Sequence, residues 1–161
     1  VVLDDYADEI AARVAQRPTS ATPEAEIDDE VSFALERHLE DFLVSNWSRT
    51  ELGRKYDIYT DEHGEVVGRQ YQTDTGPLDI LACSKDGSEM LVVELKRGRL
   101  DDVVVGQVLR YMGYVSELAP TKAVRGVVIG LEDSLKLKRA LQQVPHVSYM
   151  RYEVKFRLIG E

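Results

Sequence analysis

Gly76-Pro77-Leu78-Asp79-Ile80-Leu81-Ala82-Cys83-Ser84-Lys85-Asp86-Gly87-Ser88-Glu89-Met90-Leu91-Val92-Val93-Glu94-Leu95-Lys96 is the stretch whose reading decides the fold. Two apolar, β-prone arms flank Asp86-Gly87, and Asp-Gly is among the strongest two-residue hairpin signals. If those two residues are the loop, Lys85 pairs with Ser88. Counting outward along both arms then sets Asp79 opposite Glu94, with Lys96 two residues on and on the same face. Directly opposed residues have Cβ atoms about 4.5–5.5 Å apart, and like charges there are destabilising. A hard divalent cation would turn that penalty into a site, because Mg²⁺ takes carboxylate oxygens while keeping several waters. Two acids, a lysine and a metal are equipment for in-line attack on a phosphodiester. The rival reading of the same residues is a solvated sheet end at which Lys96 neutralises the acids.

Working outward, both faces of the hairpin are apolar. Leu81, Cys83, Met90 and Val92 lie on one, and Ile80, Ala82, Leu91 and Val93 on the other. A sheet apolar on both faces needs helices on both. Val104, Val108, Tyr111, Val115 and Leu118 predict a helix opening at Asp101 or Asp102. Gly106 and Gly113 within it cost helix stability relative to alanine, which suggests a close helix–sheet approach. Val124 to Ile129 reads as a buried strand, Glu132 to Val144 as a helix, and Val147 to Leu158 as one or two closing edge strands. Upstream, Ile27, Val31, Leu35, Leu39 and Phe42 form a helical stripe edged by Glu36 and Glu40. Tyr56 to Thr60 and Val66 to Tyr71 read as a strand pair joined through Asp61-Glu62-His63-Gly64. The expected fold is α/β, a central mixed β-sheet flanked by helices.

The 161 residues suit one domain with a full core, and 43% hydrophobic and 30% charged residues are ordinary for a globular protein. Residues 1–25 read as an acidic arm with a helix and the linker Pro18–Pro23; the body is 26–161. The opening Val1-Val2, rather than Met, is compatible with a fragment. The net charge of −9 argues against a generic nucleic-acid coat protein. It is unevenly spread, however: the first thirty residues hold nine acids against Arg13 and Arg17, which leaves −2 for the rest. Lys96, Arg97, Arg99 and Arg110 gather after the hairpin. The lone Cys83 cannot form an internal disulfide and reads as core packing in a reducing, cytoplasmic setting. No membrane span or signal peptide is visible. His38, His63 and His146 lack zinc spacing, His63 reads as solvent-facing, and Trp47 as a lid on the core.

Asp79 followed by Glu94-Leu95-Lys96 on the next strand of a helix-flanked hairpin resembles the PD-(D/E)xK nuclease superfamily. Gln107-Val108-Leu109-Arg110-Tyr111 on the following helix, and the acidic helix Leu35-Glu36-Arg37-His38-Leu39-Glu40 upstream, sharpen it. Together they resemble the catalytic domain of NucS/EndoMS-type endonucleases over about residues 30–130. The resemblance implies a restriction-endonuclease-like core. It implies that Asp79 and Glu94 bind Mg²⁺ or Mn²⁺, with Glu36 completing the site through a water and the Leu95 carbonyl as a further ligand. Lys96 would position or activate the attacking water, and Gln107 and Tyr111 would border the site and face the DNA. Arg97 and Arg110 read as phosphate contacts, which position DNA without reading sequence.

Residues 1–25 are too short for the separate N-terminal DNA-binding domain of such enzymes. The expected activity is metal-dependent DNA endonuclease action, in DNA repair. The readings kept beside it are a catalytically idle DNA-binding or assembly module and a nuclease acting on RNA or exposed ends. A homodimer, and a protein partner for the acidic arm, stay open as further expectations.

Overall fold

A computed structural model describes residues 36–97, 100–132, 134–153 and 158–160. Helix α1 covers 36–45, followed by a 3₁₀ turn at Trp47–Arg49 and the short helix α2 at Glu51–Lys55. Strands β1 (Tyr56–Ile58), β2 (Arg69–Thr73), β3 (Gly76–Ser84) and β4 (Glu89–Lys96) come next. Helix α3 (Val103–Leu118), β5 (Ala123–Gly130), α4 (Leu135–Leu141) and the edge strand β6 (Val147–Arg151) complete the chain order. The sheet runs β1-β3-β4-β5-β6, with β2 also on β3; β3 and β4 are antiparallel, and β4, β5 and β6 are parallel. This is the mixed α/β sheet expected from the sequence.

The Asp86-Gly87 turn sets the register that turn chemistry predicts: Ile80 pairs with Val93, Leu81 with Val92, Ala82 with Leu91 and Cys83 with Met90. Gly87 sits at φ +75°, and the Asp86 carboxylate accepts from the Ser88 and Ser84 hydroxyls and the Ser88 N–H. Those bonds hold the Asp86 carboxyl down at about 2. From Ile80 to Cys83 and from Met90 to Leu95, period-two alternation divides the core in two, and across Asp79 it shifts by one residue, which sets Leu78 on the Leu81 side. Leu78, Leu81, Met90 and Val92 meet α3 through Val104, Val108, Tyr111 and Val115. Ile80, Ala82, Leu91, Val93 and Leu95 meet Trp47, with Leu39, Leu43 and Leu52 packed around them. Trp47 is the predicted lid, its indole N–H donating to the Tyr56 carbonyl at 2.8 Å. His63 is exposed, and Cys83 is half-buried against the α3 side of the core.

Four expectations need correction. The segments 56–60 and 66–71 meet only at the Thr60–Val66 bridge and through Tyr59; their strands β1 and β2 pair instead with the two halves of β3. The switch occurs at Gly68, where an added Cβ would lie 2.2 Å from the Leu81 carbonyl oxygen, so the chain passes directly against β3. Gly106 and Gly113 face open space. The close approach of α3 is made by Gly126 on β5, whose Cβ would meet Val108 at 2.6 Å and Met112 at 2.8 Å. Phe42 is 68% exposed, because the inward face of α1 carries the half-buried Leu39 and Leu43 at i+4. The helix expected over Glu132 to Val144 is the shorter α4, capped by the Ser134 hydroxyl on the Leu137 N–H.

Ile27, Val31 and Leu35 of the expected stripe, the arm and linker at 1–25, and Arg99 lie outside the described residues, as does part of the closing segment beyond Arg151. Among the described residues no helix is long and apolar enough to cross a membrane.

Candidate active site

The hairpin's open end brings Asp79, Glu94 and Lys96 together. Backbone pairing of β3 with β4 ends at Ile80–Val93, one residue short of Asp79 and Glu94. There the Asp79 side chain takes over, its Oδ2 accepting the Leu95 N–H at 2.7 Å. Leu95 therefore acts here through its N–H, fixing one oxygen of the carboxylate across the strands.

Glu94 is only 2% exposed, on the β4 strand that forms the centre of the sheet. Its Oε1 lies 3.1 Å from Lys96 Nζ, while its Oε2 is buried with no hydrogen-bond partner. Burial, then the charge of Asp79, pushes the Glu94 carboxyl up to about 7, against the pull of Lys96. Burial likewise raises Asp79 above the ordinary carboxylate range, only partly offset by the Leu95 N–H and Lys96. For Lys96, burial works against its charge. Attraction to Glu94, Glu36 and Asp79 outweighs it and leaves the ammonium raised and held as a cation.

Helix α1 closes the site from the second face. Glu36 Oε1 accepts the Arg97 N–H at 3.0 Å, so the helix is tied to the chain just past β4, and the Glu36 charge is felt at Glu94 and Lys96. Glu40, one turn on, is 4% exposed and fully engaged. Its Oε1 takes Arg69 Nε at 2.5 Å and its Oε2 takes the Gln70 amide. Arg69 also reaches Asp41, and Gln70 donates to Asp79 Oδ1 at 3.2 Å. Both helix acids thus stand at the site, Glu36 toward Glu94 and Lys96, Glu40 toward Asp79.

Gln107 shares with Lys96 a small cavity of about 170 Å³, also lined by Leu100, Asp101 and Val104. The Tyr111 ring is buried in the core, and its hydroxyl donates to the Pro77 carbonyl at 2.9 Å, two residues before Asp79. Arg97 is half-buried, and its charge acts on Tyr152, whose hydroxyl is raised chiefly by burial. Arg110 is on the exposed face of α3, away from the buried set. The larger cavity, about 320 Å³, lies toward the turn end of the sheet among Lys55, Tyr56, Arg125 and His146 and includes none of these residues. The chemistry, not cavity size, locates the site.

Sequence reasoning missed Arg69 and Gln70 and gave Glu40 no partner. A signal existed: a two-residue Asp74-Thr75 loop pairs Thr73 with Gly76, as observed, and the same count sets Gln70 beside Asp79.

Among the described residues no three His, Cys, Asp or Glu side chains converge as a metal cage. The Asp79–Glu94 pair with its bare buried oxygen nevertheless suits an ion that takes one or two carboxylates and keeps its waters. Arrangements of this kind can hold a hard cation beside a fixed ammonium.

The Endonuclease NucS C-terminal domain family matches residues 49–143. The chain is 35% identical over 69 residues to Endonuclease NucS of Methanocaldococcus jannaschii, covering 43% of this chain and 26% of that protein. It is 32% identical over 102 residues to Endonuclease NucS of Corynebacterium efficiens, covering 63% and 39%. It therefore spans well under half the length of these curated relatives. Among solved structures, an EndoMS–double-stranded DNA complex superposes with a TM-score of 0.59 at 22% identity, over 76% of this chain and 46% of that one. A repair endonuclease from Pyrococcus abyssi gives 0.57 at 20% identity, over 85% and 50%. These likenesses establish a shared fold.

Proposed function

Because the chain belongs to the Endonuclease NucS C-terminal domain family, we propose that it is the catalytic part of a metal-dependent DNA endonuclease. In this reading it hydrolyses phosphodiester bonds by PD-(D/E)xK chemistry. One observation carries the proposal: Glu94 is buried beside Asp79 with one oxygen unpartnered. Even with Lys96 on its other oxygen, a buried carboxylate oxygen without a hydrogen bond is unfavourable, and the neighbouring charge of Asp79 adds to the cost. An arrangement this unfavourable in isolation is accounted for by a cation that both acids share.

Asp79 and Glu94 would hold Mg²⁺ or Mn²⁺, with Glu36 beside them. The bound ion would supply Lewis-acid polarisation of the phosphate and offset the negative charge that develops on it. Lys96, kept protonated by Glu94, donates hydrogen bonds to an incoming water and steadies the negative charge that grows as that water's oxygen bonds to phosphorus and gives its proton to solvent. The phosphorus–oxygen bond to one sugar breaks meanwhile, and the leaving oxygen takes up a proton from solvent. Glu36 ties α1 to the backbone at Arg97, which keeps the upstream acid in place as substrate arrives. Tyr111 braces the entry to β3 at Pro77, fixing the strand that carries Asp79. Gln107 lies at the rim beside Lys96, where its amide can meet a nucleic-acid backbone. Arg97 and Arg110 would bind phosphates and set the path of the DNA.

The test is cleavage of labelled single-stranded, duplex, mismatched and branched DNA, and of matching RNA, with Mn²⁺ and with a chelator. Metal-dependent internal cutting of DNA is the expected result. Binding without cutting would favour an idle DNA-binding module. Preferential cutting of RNA or of exposed ends would replace the assigned substrate.

A further inference from the structure

Gln70 sits at φ +47°, the left-handed region that glycine favours, and is the non-glycine residue recorded there among the described residues. It lies within β2, whose register continues through it, Arg69 pairing with Ile80 and Tyr71 with Leu78. Successive side chains of a strand point to opposite faces. Arg69 and Gln70 break that rule: both donate to the same Glu40 carboxylate, Arg69 to Oε1 and Gln70 to Oε2. The left-handed turn of the backbone swings Gln70 back toward α1. From there its amide also reaches Asp79 Oδ1 at 3.2 Å. Ionised carboxylates only accept hydrogen bonds, whereas a side-chain amide carries two N–H donors on one nitrogen. A glutamine can therefore stand between two acids as a neutral bridge, where a third acid would repel both.

We infer that Gln70 is a positioning residue: its amide joins Glu40 to Asp79 and fixes the direction of the Asp79 carboxylate, and its left-handed backbone exists to aim it. Asp79 is then oriented through both oxygens, Oδ2 by the Leu95 N–H and Oδ1 by Gln70. Arg69 anchors the far side of Glu40, so α1 and β2 are clamped together behind Asp79. This inference rests on the nuclease reading, in which Asp79 is a metal ligand. Groups that orient a ligand in this way typically contribute 10–100-fold to metal affinity or activity.

Two substitutions in the 161-residue chain separate the amide from the backbone. Gln70→Gly accepts φ +47° freely but has no amide. Gln70→Met keeps the length and loses the donors. Mn²⁺ affinity is read from the free-ion electron paramagnetic resonance signal, alongside steady-state cleavage of duplex DNA. Both variants are expected to bind Mn²⁺ about 10-fold more weakly, with kcat lowered and KM for DNA unchanged. Should Gln70→Met fail to fold, Gln70→Gly carries the test alone. Parent-like Mn²⁺ affinity and kcat in Gln70→Gly would overturn the inference and leave a backbone role only, with the nuclease reading intact. A parent chain that neither binds Mn²⁺ nor cuts DNA would overturn the nuclease reading, and this inference with it.

Discussion

Replacing Glu94 by glutamine should stabilise the metal-free fold while destroying its response to metal. Glu94 is buried at the hairpin end, and burial together with Asp79 raises its carboxyl from the ordinary 4.5 to about 7. The folded state therefore holds on to a proton that the unfolded chain has already lost, so stability falls as pH rises through the window between those values. Below about pH 4.5 the penalty is absent. Above pH 7 it is complete, and a shift of this size corresponds to ~3 kcal/mol. Glutamine keeps the shape and removes the charge.

Urea unfolding in the presence of a chelator should then show Glu94→Gln more stable than the parent by about 3 kcal/mol at pH 8, the attraction of Lys96 being already contained in the raised carboxyl. At pH 5 the advantage should shrink to ~1 kcal/mol, because Glu94 is then largely protonated in the folded parent. Equal stabilisation at both pH values, or a Glu94→Gln chain less stable than the parent at pH 8, would refute the reasoning. Either result would mean that the buried oxygen carries no electrostatic penalty.

Further outcomes follow from the same geometry. Mn²⁺ should raise the parent's melting temperature, more at pH 8 than at pH 5 because protons compete for Glu94, and should leave Glu94→Gln nearly unmoved; differential scanning calorimetry decides it. Arg69→Met should cost about 3 kcal/mol in urea unfolding, since it strips the charge partner from buried Glu40; a loss under 1 kcal/mol would show that Gln70 alone satisfies that acid. Gly126→Ala should destabilise by ~2 kcal/mol, its new Cβ meeting Val108 and Met112. Gly106→Ala and Gly113→Ala, with open space at the added methyl, should each gain about 0.8 kcal/mol; the same unfolding assay reads all three.

The β3–β4 hairpin was legible because its register is decided locally. Asp86 and Gly87 fix the turn, and period-two alternation assigns Leu81 and Ile80 to opposite faces before any helix is known. That alone brought Asp79, Glu94 and Lys96 together. What stayed hidden depends on partners distant in sequence. The division of β3 between β1 and β2 follows from Gly68 passing against the Leu81 carbonyl, a contact that no propensity encodes. A helical glycine looks the same in sequence whether it faces a sheet or open space, so the close approach was sought at Gly106 and Gly113 rather than at Gly126 on the strand. Glu36 and Glu40 share one helix edge. Only their partners tell them apart, Arg97 for one and the Arg69–Gln70 pair for the other. Gln70 itself owes its place to a backbone conformation that ordinary strand reasoning excludes.

In the proposed function, Asp79, Glu94 and Lys96 perform metal-dependent hydrolysis of DNA. The most direct test is single-turnover cleavage of labelled duplex DNA with Mn²⁺ by the parent, Asp79→Asn and Lys96→Met, each first shown to be folded. Cutting by the parent is expected, with a loss of at least 100-fold, about 3 kcal/mol of barrier, in each variant. Cutting that survives either substitution at the parental rate would contradict it.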